Sequence, residues 1–298
     1  MKKILITGAN SYVGVSVENH LKQWQDRYQV DTVDMVDGSW KETSFAGYDA
    51  VFHVAGIVHM ESTKNDPEQA ALYERVNTRL AIETAQKAKA EGVKQFIFMS
   101  SASVYGLSAP IGKVVMITKD TPLNPVDNYG ISKAKAEEGL SALADRQFKL
   151  AILRPPMIYG KGCRGNYCTM AKLAKKLPFF PYVDNQRSML YIGNMAEFVR
   201  LIVDDEAEGV FCPQNNEYTN TSDMVSQIAH ANGRDILMIK GFAWALKLLR
   251  HATGIVDKAF GSLCYDFELS NYTRDYCIKN LAESITETEA CFCARLPS

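Results

Sequence analysis

Tyr129 and Lys133 stand four residues apart in the run Tyr129-Gly-Ile-Ser-Lys133. That spacing places both on one face of a helix, one turn from each other. An ammonium fixed beside a phenol favours the phenolate, so the pair predicts a tyrosine that exchanges a proton near neutral pH. Upstream, Phe96-Ile-Phe-Met-Ser-Ser-Ala-Ser-Val-Tyr105-Gly106 reads as an apolar strand that ends in a hydroxyl-rich turn. A serine at that strand end, Ser101, can hold the oxygen whose proton is moving. The trio suits oxidation or reduction of an alcohol carbon, provided a hydride acceptor lies nearby.

The N-terminus offers a place for that acceptor. Lys2 to Thr7 reads as a short, fully apolar strand of the buried parallel kind, and it runs directly into Gly8-Ala-Asn10-Ser11-Tyr12-Val13-Gly14 and a helical pattern. Strand, glycine turn and helix are the setting of a dinucleotide fingerprint, in which backbone amides and the helix N-terminus face a pyrophosphate. Gly8 gives the tight turn and Gly14 lets the helix approach the strand, while Ser11 replaces the middle glycine. The next strand, around 29–34, ends in Asp34, placed to accept from adenosine ribose hydroxyls and to repel a 2′-phosphate. No Arg or Lys follows Asp34 until Lys41. These residues predict NAD rather than NADP.

With the two motifs in this order, the chain resembles an extended short-chain dehydrogenase/reductase of the nucleotide-sugar epimerase/dehydratase group. The resemblance covers most of residues 1 to 215. It is carried by Phe52-His53-Val54-Ala55-Gly56, Val76-Asn77, Ser100-Ser101-Ala102-Ser103-Val104-Tyr105-Gly106, Arg154-Pro155-Pro156-Met157-Ile158-Tyr159-Gly160 and Arg187-Ser188-Met189-Leu190-Tyr191-Ile192-Gly193-Asn194. It implies that Tyr129 is the acid/base, that Lys133 bonds the nicotinamide ribose and lowers the tyrosine pKa, and that Ser101 orients the reacting hydroxyl. It implies further cofactor contacts from Asp37 and Gly38 by the adenine, from Val54, Ala55 and Gly56 beside the riboses, and from Asn77, Ser100 and Pro155. On the substrate side it implies Ser101, Ser103, Tyr129, Asn166, Arg187 and His59, with Asn166 and Arg187 holding the diphosphate or uridine of a UDP-linked hexose. It also implies a homodimer formed through helices near 68–91 and 130–146.

Two departures from the family narrow the chemistry. Dehydratases of this group carry an Asp-Glu pair just after the serine, and here Ala102 and Ser103 stand in those places, so dehydration is not expected. Many hexose epimerases carry a lysine shortly after the His-x-Ala-Gly segment, where this chain has Val58-His59. The expected reaction is 4-epimerisation of a UDP-hexose or UDP-N-acetylhexosamine through a transient 4-keto sugar. A nucleotide-sugar 4-ketoreductase would use the same trio, and a non-catalytic dinucleotide sensor is the remaining alternative.

Composition sets the frame for these motifs. The chain has 298 residues, 47% of them hydrophobic, enough for a main domain and a smaller lobe. Lys and Arg (33) nearly balance Asp and Glu (34), which leaves no electrostatic footprint for nucleic acid. No apolar run reaches the roughly 20 residues of a membrane span, and the first strand follows Met1 directly, so a cytoplasmic protein without a signal peptide is expected. Seven cysteines at uneven spacing predict reduced thiols, with no set of ligands for a metal.

Helices are expected near 13–25, 68–91, 130–146, 166–176, 195–204, 222–232 and 242–252, and strands near 3–7, 29–34, 49–55, 95–101 and 149–154. This alternation predicts an α/β fold, a Rossmann-type doubly wound parallel sheet with a smaller C-terminal substrate-binding lobe. Residues 1–160, rejoined by 190–214, form the expected NAD-binding domain, and 161–189 with 215–298 the lobe. Leu72, Val76, Leu80, Thr84 and Ala88 form a stripe suited to packing on the sheet. Glu137 and Glu138 are expected to face solvent and His53 to be structural. Phe242, Trp244, Leu248 and Leu249 mark an apolar stretch expected to pack on the lobe.

Overall fold

Six short apolar runs pair into one sheet: β1 (Lys2–Thr7), β2 (Tyr28–Val33), β3 (Ala50–His53), β4 (Gln95–Met99), β6 (Lys149–Leu153) and β10 (Gly209–Phe211). The computed structural model describes residues 1–58, 66–241 and 260–290. His59, the apolar stretch from Phe242 to Leu249 and the helix expected over 242–252 lie outside the described residues.

All neighbouring strands of this sheet run parallel, in the order β10-β6-β4-β3-β1-β2. The central strands β3, β4 and β6 and the second half of β1 are near-continuous apolar runs because both faces are covered, whereas the edge strands β2 and β10 are largely unburied. On one face Leu5, Val51, Phe96, Phe98, Leu150 and Ile152 join a core with Ala81, Ala85, Ala88, Ala136 and Leu140 from the helices. On the other, Ile4, Ile6, Phe52, Ile97, Ala151 and Leu153 are equally buried. The strand order reverses at β1, which has β2 on one side and β3 on the other. Crevices for ligands form at the carboxyl ends of strands at such a reversal, and the Gly8 turn lies at that end of β1.

The sheet belongs to a unit of residues 1–106, 122–155 and 195–213. Its helices are α1 (Tyr12–Leu21), α2 (Pro67–Tyr73), α3 (Leu80–Ala90), α4 (Asn128–Ser141) and most of α6 (Ile192–Asp204). Between α2 and α3 the chain makes a π-helical stretch over Glu74–Arg79. The widened turn rotates the helix face, so the buried stripe is Tyr73, Asn77, Thr78, Ala81, Thr84, Ala85 and Ala88. Leu72 and Val76, which a regular helix would have placed inward, are only half-buried, whereas Leu80 packs against the sheet core as expected.

The second unit comprises residues 107–121, 156–194 and 214–298. Its strands form three two-stranded parallel ladders: β5 (Val114–Ile117) with β12 (Ser262–Tyr265), β7 (Met157–Tyr159) with β9 (Met189–Tyr191), and β8 (Phe179–Pro181) with β11 (Leu237–Ile239). Helices α5 (Asn166–Lys176) and α7 (Thr221–Ala231) belong to it, followed by the short α8 (Phe267–Ser270) and by α9 (Leu281–Ala290). Buried Tyr159 and Tyr167 stack at 5.4 Å between ring centroids, with Tyr159 bonded to Ser284 and Asn215 and Tyr167 to Glu289. The five described cysteines are free thiols. No helix among the described residues is long and apolar enough to cross a membrane.

Candidate active site

Helix α4 starts cleanly because Asp127 caps it, accepting from the Gly130 amide at 2.7 Å. Tyr129 therefore sits in the first turn, near the positive end of the helix dipole, and Lys133 follows one turn later. The strand end that faces them is β4. There the Ser101 hydroxyl lies beside the Tyr129 phenol and accepts from the Ser103 amide at 3.1 Å. The Ser101 hydroxyl donates to Ser103 Oγ at 3.2 Å. Tyr129 also packs against Tyr73, with ring centroids 6.2 Å apart. The structure thus brings together the trio expected from sequence.

Lys133 is buried, and its ammonium donates to the Met99 carbonyl at 2.8 Å and lies 4.7 Å from the Phe98 ring centroid. Burial pushes the lysine down to about 8, against the pull of the Glu137 carboxylate. The tyrosine behaves differently from the sequence expectation of a lysine-lowered phenol. Burial pushes Tyr129 up to about 12, opposed by the neighbouring Ser101 hydroxyl. The physical reason is that desolvation of the ring outweighs its neighbours while the ammonium is turned toward Met99. In this state Tyr129 is a protonated phenol beside a serine, with a cation one turn away.

Backbone approaches the ammonium from the β3 end. A β-carbon on Gly56 would lie 3.4 Å from Lys133 Nζ and 3.0 Å from Asn77 Oδ1. Asn77, turned inward by the π-helical stretch, accepts from the Ile57 amide at 2.8 Å and donates to the Ile57 carbonyl and to Ser132 Oγ. Its amide is engaged inside the protein, so it acts on this site by clamping Gly56 and Ile57. Ser100 likewise points inward, its hydroxyl donating to Glu137 at 2.5 Å.

The N-terminal turn fits a dinucleotide on its geometry. Gly8 has φ +110°, and a β-carbon there would meet the Ala55 amide nitrogen at 2.7 Å, so only glycine lets β1 turn this tightly beside the β3 end. Val54 and Ala55 both donate to the Thr7 carbonyl. Asn10 is left-handed at φ +65°, a conformation that asparagine tolerates. Ser11 caps α1 by accepting from the Gly14 amide at 3.1 Å, which explains a serine at the middle glycine position. Tyr12 and Val13 open the helix, and Gly14 sits where a β-carbon would meet the Gly8 carbonyl oxygen at 3.2 Å.

At the end of β2, Asp34 is exposed and accepts from the Val36 amide at 2.9 Å. Asp37 accepts from the Ser39 amide and hydroxyl, which hold its carboxyl below the usual range, and Gly38 turns the chain at φ +80°. Pro155 presents its carbonyl to the Ala102 amide at 3.0 Å.

The family model for the NAD-dependent epimerase/dehydratase family matches residues 4–211 of this chain. The chain belongs to that family. NAD is its cofactor, and the Gly8 turn with Asp34 beside it is shaped for one. Among curated relatives, UDP-glucose 4-epimerase of Vibrio cholerae is 30% identical, over 91% of this chain and 89% of the relative. An N-acetyl-α-D-glucosaminyl-diphospho-ditrans,octacis-undecaprenol 4-epimerase of Escherichia coli O157:H7 is 27% identical over 78% of this chain and 73% of the relative. Solved structures confirm the Rossmann-type fold. A dTDP-4-dehydrorhamnose reductase from Clostridium acetobutylicum superposes with a TM-score of 0.74 at 20% identity, covering 98% of this chain and 99% of that one. The NAD complex of UDP-glucuronic acid 4-epimerase from Bacillus cereus gives 0.73 at 17% identity, with the same coverage.

The expected substrate-side residues of this epimerase/dehydratase family member fall in both units. Ser101, Ser103 and Tyr129 belong to the first. Asn166 and Arg187 belong to the second: Asn166 is exposed at the start of α5, after Gly165 at φ +86°. The Arg187 guanidinium donates to the Gly261 carbonyl at 3.3 Å, its backbone bridges Thr219, and burial pushes its pKa down. His53 is fully buried, bonded to Thr7 Oγ1 at 2.8 Å and stacked on Phe96 and Phe98; burial pushes it down to about 3, so it is neutral.

Glu137 corrects the sequence reading. It is buried rather than solvent-facing, because Lys133, Ala136, Glu137 and Leu140 form the inward stripe of α4. Its carboxylate accepts from Arg154 Nε at 3.0 and 3.2 Å and from Nη2 at 2.5 Å, and Arg154 Nη1 donates to the Tyr105 hydroxyl at 2.9 Å. The available signal was its position four residues after Lys133. The partner, Arg154, comes from a different element.

Proposed function

We propose that this protein is an NAD-dependent 4-epimerase of UDP-linked hexoses or N-acetylhexosamines. The observation that carries the reading is the gathering of Ser101 at the β4 end beside Tyr129 on α4, with the buried Lys133 ammonium one helical turn further along. The relationship to a UDP-glucose 4-epimerase over most of both chains supports it. NAD, when bound, supplies the acceptor for the C4 hydride and returns it to the opposite face of the sugar.

In this reading Tyr129 accepts the proton of the sugar 4-hydroxyl and gives it back at the end of the cycle. Ser101 orients that hydroxyl, with Ser103 beside it, and the Lys133 charge favours the phenolate when the proton must be taken. The Gly8–Gly14 turn holds the pyrophosphate, with Asn10, Ser11, Tyr12 and Val13 shaping it. Asp34 takes the ribose hydroxyls, Asp37 and Gly38 border the adenine, and Val54, Ala55, Gly56 and Pro155 line the riboses and nicotinamide. Asn77 and Ser100 support that surface from beneath. Asn166 and Arg187 take the diphosphate or uridine. Ala102 and Ser103 supply no carboxyl for eliminating water, which argues against dehydration.

The test is proton NMR of the purified protein with UDP-galactose, and separately with UDP-N-acetylgalactosamine, without added cofactor. The gluco epimer is expected to accumulate, because the cycle regenerates its own oxidant. No epimer from either sugar, with the protein folded and NAD bound, would favour the 4-ketoreductase instead. We expect a homodimer, which light scattering checks.

A further inference from the structure

The end of β4 is tied to α4 at two successive residues. Met99 accepts from Lys133 through its carbonyl at 2.8 Å, and Ser100 donates to Glu137 through its hydroxyl at 2.5 Å. Ser101, the next residue, stands beside Tyr129. Lys133 and Glu137 are one turn apart on the inner face of α4 and both are buried. The rest of the Glu137 carboxylate is occupied by Arg154, at the end of β6, and Arg154 in turn holds Tyr105 at the far end of the serine turn. One carboxylate therefore meets the strand end before Ser101 directly and the turn after it through Arg154.

We propose that Glu137 is a positioning residue for the reaction: from inside the core it fixes the strand end carrying Ser101 against the helix carrying Tyr129 and Lys133, and its charge lies one helical turn from Lys133. This rests on the proposed role of the trio. Three hydrogen-bonding groups converge on the carboxylate, and charge-assisted bonds of this kind are short and directional. A shift of the strand end by about 1 Å changes where the Ser101 hydroxyl stands relative to the phenol, and misplacement on that scale is costly in rate.

The electrostatic part follows from the same geometry. The titratable groups that Lys133 couples to are Glu137, one turn along its own helix, and His53 on β3, with Arg154 at the end of β6 held against Glu137. His53 is neutral. The carboxylate of Glu137 is thus the group among these that favours a charged lysine.

Two variants test the proposal. Ser100→Ala removes the tie and keeps the charge. It should lower kcat about tenfold or more with KM for the UDP-sugar nearly unchanged, and it should leave the titration of Lys133 in place. Glu137→Gln keeps the shape and removes the charge. It should move the Lys133 midpoint, read by carbon-13 NMR of labelled lysine and assigned by its loss in Lys133→Met, to lower pH.

That titration needs no turnover, so it stands even where no UDP-sugar reacts and the proposed function has failed. Wild-type kcat in Ser100→Ala overturns the positioning role, and an unmoved midpoint in folded Glu137→Gln overturns the electrostatic one. Should Glu137→Gln not fold, Glu137→Asp replaces it. The shorter carboxylate keeps the charge but cannot reach all three partners, so kcat must fall while the midpoint holds. Unchanged kcat in that variant rejects the proposal.

Discussion

Gly130 stands directly under Ser103: a β-carbon on Gly130 would lie 2.5 Å from the Ser103 carbonyl oxygen. The residue after Tyr129 is thus the point at which α4 touches the serine turn, and its lack of a side chain sets how closely Ser101 approaches the phenol. Gly130→Ala should cost about 1–3 kcal/mol of stability through overpacking. It should also reduce kcat more than it raises KM, because the turn is pushed off the helix. Denaturant unfolding together with steady-state kinetics checks both, and a variant as stable and as active as wild type would show that the contact does not set the geometry.

Tyr129→Phe keeps the ring that packs on Tyr73 and removes the hydroxyl beside Ser101. NAD affinity by calorimetry should stay within a few-fold, while turnover falls by about 10²–10⁴ as expected for loss of a general acid/base. Full turnover by this variant would remove Tyr129 from the mechanism.

Activity should fall as pH rises through about 8. Burial places Lys133 near that value, below its ordinary 10.5. The lysine is charged at lower pH and loses its charge above, and the charged form is the one that favours the phenolate. The dependence of kcat/KM on pH, which reports the free enzyme, should show this alkaline limb. A profile flat to pH 10 would mean that the lysine charge does not matter to turnover.

His53 should make the protein sensitive to acid. Its folded pKa of about 3 lies below the unfolded value of 6.5, so the folded state resists protonation. The stability this contributes is fully present above pH 6.5 and is lost progressively as pH falls toward 3. At pH 4 the loss should reach about 3 kcal/mol. Urea unfolding of wild type and His53→Asn at pH 7 and pH 4 measures it: the variant should lose less stability between the two. Equal losses would place the acid sensitivity elsewhere.

Much of the site was legible because its signals are local. A Tyr and a Lys four apart share a helix face in any α-helix, and a glycine turn after an apolar run can be read from the next few residues alone. Ser11 shows the limit of motif matching. It departs from the glycine pattern, yet it caps α1 through the Gly14 amide, a role its own side-chain chemistry fits. The stripe at Leu72 and Val76 was misread because a π-helical turn inserts an extra residue, and a fixed periodicity has no place for one.

The sequence by itself determined the parallel sheet, the order of its first five strands along the chain, and the identity of the groups able to move a proton and hold a dinucleotide. Those follow from short-range pattern, whose physics is backbone geometry and the burial of apolar runs. Only the tertiary structure decided the state of those groups. The protonation of Tyr129, the depressed lysine, the inward turn of Asn77 and the burial of Glu137 against Arg154 depend on what elements distant in sequence bring into contact. Desolvation and charge pairing are set by everything within a few ångströms, and the chain order does not reveal which residues those are.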